Sequence, residues 1–451
     1  MRTALFRHLH VLAFGVSVTA AALLTAASAS AATAEQAGQD KVTFTKHVAP
    51  IVQKSCQGCH RPGEMAPMSL VTYEEVRPWA RSIKARVAAR EMPPWHINRN
   101  IGIQKFKQDP SLSDEEIATI VSWVDGGSPM GNPADMPPAR QFADDSKWHI
   151  GTPDLIVTSP KHVVKAFAPD WFGDEIVPSG LTEDRYIKAI ETKPGKGSRP
   201  IVHHLLTYAV DPDDDKATLG DDSSGSGQFL NEYASGKNGD VFPEGAGTLL
   251  KAGSSIKFSF HLHSIGVETV ETSDVGIVFY PKGYVPKYTR WSKQLAINAD
   301  PLLDIPAGVS DVRHDSYERI NTPAKIVAFQ PHMHIRGKAQ CLELIYPDNR
   351  VETISCANFN YNWHLVYPYA DDVQPLVPAG TVLHVISWHD NSSGNKFNPD
   401  PKNWVGRGNR TIDEMGFAWI TWYDLTEEQY KEELAARKNK LKVTSNDQQP
   451  Q

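Results

Sequence analysis

The sequence predicts a multidomain chain: a small all-α unit over residues 41–133, then an all-β region of two β-sandwiches over 150–425. Three observations lead there. Apolar residues recur at helical spacing early in the chain and in short β-branched and aromatic runs later. A Pro-rich stretch from Pro129 to Pro138 separates the two textures. The length of 451 residues is enough for about three folded units.

Composition narrows the class. Apolar residues make up 40% and charged residues 22%, which is ordinary for a globular chain and excludes a disordered one. Lys and Arg number 46 against 53 Asp and Glu, for a net charge of −7, with no long basic block. That balance argues against a nucleic-acid partner.

Taken in order, residues 1–31 read as a signal peptide: Arg2 and Arg7 form a basic start, Val11 to Leu24 is apolar, and Ala27-Ser28-Ala29 suits cleavage. The run is short for a membrane span, so the expectation is an exported protein, periplasmic or secreted, with no stable membrane anchor. Residues 32–40 read as a linker. Trp79, Ile83 and Val87 lie four apart on one helix face. Ser113-x-x-Glu116 is a capping box ahead of Ile117, Ile120, Val121 and Val124, and Gly126-Gly127 stops that helix.

Strand-like runs follow at 154–158, 202–210, 255–263, 276–280, 325–330, 341–346 and 382–388. Residues 211–240, rich in Asp, Gly and Ser, read as an exposed loop. Residues 426–451 read as a charged tail, helical and then disordered.

Four cysteines have to be placed in an oxidising compartment. A hairpin turning between Asp348 and Asn349 puts Cys341 and Cys356 directly across two strands, close enough for a disulfide at a non-hydrogen-bonded pair. Two buried thiols are the alternative. Cys56-Gln57-Gly58-Cys59-His60 is the attachment signature of c-type haem: two thiols bond the porphyrin and the next His meets the iron. For the sixth ligand Met65, Met68, Met92 and His96 are in reach. Met92, ahead of Pro93-Pro94, is preferred. With its Met-Pro and terminal helix, this segment resembles class I cytochromes c.

Six of the 17 histidines fall in three pairs: His203-His204, His261-Leu262-His263 and His332-Met333-His334. A His-x-His on a strand puts both rings on one face. Adjacent His203 and His204 share a face only if the strand bulges or one ring reaches around the edge. Imidazole suits copper or zinc, and a thioether ligand selects Cu(I). His47, His149, His162, His314, His364, His384 and His389 have no partner at ligand spacing and read as surface or packing residues.

Residues 150–425 resemble the copper type II, ascorbate-dependent monooxygenases, the group that includes peptidylglycine and dopamine monooxygenases. The motifs appear in order: Val202-His203-His204, His261-Leu262-His263-Ser264-Ile265-Gly266, Pro331-His332-Met333-His334-Ile335-Arg336-Gly337-Lys338 and Asp413-Glu414-Met415. The resemblance implies a double jelly-roll divided near residue 300 and two copper ions. His203, His204 and either His261 or His263 would hold the electron-relay copper. Spacing alone does not choose, and His263 is preferred. His332, His334 and Met415 would hold the copper that meets oxygen and substrate.

Two departures matter. Gln330 stands where the peptidylglycine enzymes carry a carboxylate-binding Arg, and Phe417 and Trp419 replace polar groups, so a C-terminal glycine is a poor substrate.

The implied activity is hydroxylation of a C–H bond of a small organic substrate by O2. One haem c, supplied by an external donor, would feed electrons to the copper. A copper-binding or electron-transfer protein without hydroxylase activity is the alternative reading. Zinc hydrolysis lacks an evident general base beside the histidines.

Overall fold

The computed structural model describes residues 41–64, 66–142, 147–214, 227–234, 237, 239–296 and 303–446. The expected signal peptide, linker, Met65, half of the 211–240 loop and the end of the tail lie outside the described residues.

The early segment forms helices Ala49–Ser55, Tyr73–Val76, Ala80–Ala88 and Asp114–Asp125 around Phe44, Ile120 and Trp123. The Ser113/Glu116 capping box forms as the spacing requires, and a second one, Thr72/Glu75, opens the short helix at Tyr73.

The predicted all-α cytochrome c domain followed by a double jelly-roll is overturned. The chain is mostly β-sandwich sheets with a few short helices. Between Ala88 and Asp114 the backbone leaves the helices and joins the β-structure, where Ile97 bridges to Ala357 and Phe106 to Tyr369. Trp95 packs edge-on against Tyr367 at 4.8 Å, and Ile97 enters one core with Leu342, Ile354 and Ala357. The cause is local. Pro93, Pro94 and Pro110 bar a helix there, so the apolar side chains of this stretch are buried against a sheet instead.

The β-structure is not two closed sandwiches set side by side. One ten-stranded sheet runs through both halves. At its middle, strand Gly416–Asp424 lies between Tyr288–Ala296 and Ala324–Met333, antiparallel to both. A four-stranded sheet of Trp171–Pro178, Ser255–Leu262, Val202–Val210 and Gln228–Tyr233 supplies the second layer of the first half. Another, of Val312–Arg319, Val382–His389, Gly337–Ile345 and Val351–Asn358, does so for the second half. The first core reaches across and takes in Val327 and Tyr423.

Cys341 and Cys356 face each other across the hairpin, Cα atoms 4.1 Å apart, and form a disulfide. Asn349 takes a left-handed φ of 64° at the turn, and the strands slip by one residue between Leu342 and Glu343. Without that bulge the cysteines would not be opposite one another. The charged tail begins as helix Glu427–Asn446.

Candidate metal centre

Period-two alternation positions the first group of histidines. In strand Ser255–Leu262, Ile256, Phe258, Phe260 and Leu262 are buried in the core, which turns His261 to the other face with Lys257 and Ser259. In the neighbouring strand Val202 pairs with Leu262 and His204 with His261, so His203 is an extra residue in a bulge. That bulge lets both adjacent histidines approach His261. Ligand atoms of His203, His204 and His261 all lie within 4.8 Å of one another. The Nδ1 atoms of His203 and His204 are 3.0 Å apart. Two nitrogens held about 2.0–2.1 Å from one ion have such a separation, so the set fits a metal.

His261, not the preferred His263, completes this group. The His263 ring centroid stands 6.5 Å from that of His203, against 4.6 Å for His261. His263 follows the last residue of its strand, and its N–H donates to the Ile201 carbonyl. His261 Nε2 donates to Asp170 at 2.9 Å, which leaves Nδ1 for a metal. The same hydrogen bond holds the Asp170 carboxyl below its usual range.

The second group comes from the neighbouring ends of two adjacent strands of the long sheet, Ala324–Met333 and Gly416–Asp424. His332 ends strand Ala324–Met333 and stacks on Phe417 at 4.4 Å. His334 lies just beyond, its Nδ1 donating to the Asp413 carbonyl at 3.2 Å, so that Nε2 is open. Met415 sits against Phe417 and Trp419 in the same cavity. Buried Glu414 ties the group together. Its carboxylate accepts the backbone N–H of His334, of Arg336 at 2.9 Å and of Met415 at 3.1 Å.

The two groups share one cavity of about 480 Å³, and the His204 and His332 rings are only 6.1 Å apart. Burial holds the imidazoles neutral: His203 is pushed down to about 3, His334 to about 4, and His204 and His332 well below the ordinary value. Neutral rings offer the lone pairs that a cation needs.

Two residues that sequence reasoning missed line this cavity, both from the loop after strand Val351–Asn358. Tyr361 stacks on His203 at 5.8 Å and approaches His334 edge-on at 6.2 Å. His364 stands 4.8 Å from His204 and 5.0 Å from His332, ring to ring. No spacing signal marks either one. Gln330, which the sequence marked only as a replacement for Arg, is buried and donates to Glu232 at 2.6 Å beside His364.

Around the other motif, His60 Nδ1 donates to the Met68 carbonyl at 3.2 Å, leaving Nε2 open to an iron. Cys56 and Cys59 are free, and burial pushes the Cys56 thiol up to about 12. Arg61 and Arg199 both pair with Glu64, at 2.7 and 2.6 Å, which ties this loop to the β-structure just ahead of His203. A second cavity of about 1250 Å³ is lined by Cys59 and also by Gln330 and His364. Pro93, Pro94 and Trp95 also line it, whereas the preceding Met92 N–H is turned back to the Arg86 carbonyl at 3.4 Å.

No protein-family model matches the chain, and no curated protein is similar to it at a significant level. Among solved structures, recombinant N-glycanase F superposes with a TM-score of 0.27 at 10% identity, covering 60% of this chain and 96% of its own. The major capsid protein of bacteriophage PM2 does so with 0.24 at 7% identity, covering 56% and 97%. The infectious bursal virus T=1 particle protein gives 0.19 at 8%, covering 62% and 72%. Likenesses at this level define no family for the chain.

Proposed function

We propose that the chain is an exported copper-dependent monooxygenase that hydroxylates a C–H bond of a small organic substrate with O2. In this reading Cys56, Cys59 and His60 carry a c-type haem through which electrons enter from an external donor. The observation that supports it most is the arrival of His203, His204, His261, His332, His334 and Met415 on one cavity. Copper held there would supply one-electron chemistry and oxygen binding, and the single thioether among imidazoles favours Cu(I).

The protein's own groups would do the following. Asp170 holds His261 with Nδ1 toward the first group. Glu414 keeps Met415 beside His334 by gathering three backbone donors into one carboxylate. Phe417 and Trp419 form a dry wall at the second group, which suits an apolar or aromatic substrate and keeps water from it. The second cavity, lined by Cys59, would have room for a haem, and His364 lines it as well as the first cavity.

The test is copper and haem per chain on protein matured in a periplasm, followed by oxygen uptake against a panel of small organic compounds. Near two coppers and one haem, Cu(II) EPR signals partly lost in His203→Ala and in His332→Ala, and substrate-dependent oxygen uptake are expected. Two coppers with no oxygen uptake on any substrate would leave a copper relay protein instead. One copper or none after loading would overturn the reading.

A further inference from the structure

His364 belongs to neither metal-binding motif, yet it occupies the seam between the two histidine groups. Its side chain is nearly enclosed, with the residue 7% exposed. The ring stands about equally far from His204 and His332, at 4.8 and 5.0 Å. Its two nitrogens have different surroundings. Nε2 lies 2.9 Å from the side-chain amide of Gln330, at the end of the second cavity. Nδ1 is buried and has no hydrogen-bond partner among the described residues. A buried polar atom without a partner is costly, and proteins seldom leave one in place without a use for it.

We infer that His364 is a further metal ligand, offering Nδ1 at the junction of the two groups so that they form one joined centre. The inference rests on the copper reading above and adds a residue that the sequence motifs do not contain. The amide of Gln330 can turn by a half-turn, exchanging its oxygen and nitrogen. Its oxygen then accepts Nε2–H in place of the amide's bond to Glu232, which fixes the tautomer that leaves the Nδ1 lone pair bare. Ligating histidines are commonly oriented in this way, through the nitrogen that does not touch the metal. His364 is the one residue that lines both cavities, so the same ring is also where the second cavity meets the centre.

Copper titration of the full-length haem-loaded chain, with a Cu(I) chelator as competitor and Cu(II) EPR as the spectroscopic readout, tests this. His364→Gln keeps much of the volume and is expected to bind one copper at least about tenfold more weakly, with a changed EPR signal. In His364→Ala, added imidazole is expected to restore both, an effect that a packing role would not produce. Wild-type affinity and EPR in a folded His364→Gln chain overturn the inference alone. Failure of the wild-type chain to take up copper overturns the copper reading and this inference with it.

Discussion

The rings of His204 and His332 meet edge to face, with centroids 6.1 Å apart and planes at 90°. These residues come from different sheets, and each belongs to a different histidine pair of the sequence. The sheet order explains the contact. Strand Gly416–Asp424 joins the two halves of the long sheet, and the strand end carrying His332 lines the same cavity as His204. Any metal bound by either group would lie in the cavity that the two groups share. From this geometry follow several measurable consequences.

Asp170 accepts a hydrogen bond from His261 of the first group. Asp170→Asn is expected to weaken copper at that group by about 10- to 100-fold while the second group is unaffected. Chelator competition with EPR on the two populations measures this. Equal loss at both groups would show that Asp170 supports the fold rather than His261.

Glu414 holds three buried backbone donors on one carboxylate. Glu414→Ala leaves them unpaired and is expected to cost at least about 3 kcal/mol, read by urea unfolding. Glu414→Gln keeps an accepting oxygen and should cost clearly less. If both variants unfold like the wild type, these hydrogen bonds contribute nothing to stability.

Acid should destabilise the metal-free chain. Burial pushes His203 and His364 down to about 3, and His334 and His389 to about 4, from an ordinary 6.5. The unfolded chain therefore takes up protons first, and stability falls as pH drops from about 6.5 toward 4. Glu414, raised to about 7 by burial, works in the opposite direction, as do the buried carboxyls of Glu232 and Glu271, but the depressed histidines outnumber these three. Urea midpoints at pH 7 and pH 5 check the sign. A higher midpoint at pH 5 would contradict it.

The bridge between Cys341 and Cys356 closes a segment of 15 residues. Replacing both cysteines by Ser is expected to cost about 3 kcal/mol, mostly by freeing the unfolded chain. An unchanged melting temperature under oxidising conditions would argue against that contribution.

Ile97 ties the segment between the early helices to the second β core. Ile97→Ala should cost about 2–5 kcal/mol and lower the melting of helices and sheets together. A separate, unshifted helical transition in calorimetry would mean that the helices fold independently of the sheets.

The sequence by itself determined whatever depends on neighbours along the chain. Alternation in 255–262 settled which face carries His261, the Ser113/Glu116 spacing announced a helix start, and the turn residues around Asp348 announced the hairpin that carries Cys341 and Cys356, whose register the bulge after Leu342 then set. Each of these is a local rule of backbone geometry. The tertiary structure alone decided what depends on contacts between distant segments. A bulge at His203 and the pairing of two strands selected His261 over His263. The stretch around Trp95 and Phe106 joined a sheet because an apolar surface was waiting there, which undid the separate helical domain. His364, which no spacing marks, reached His204 and His332 only because a loop from the second half folds over their common cavity. Burial and metal-ligand geometry are properties of that assembled surface, and a one-dimensional pattern does not carry them.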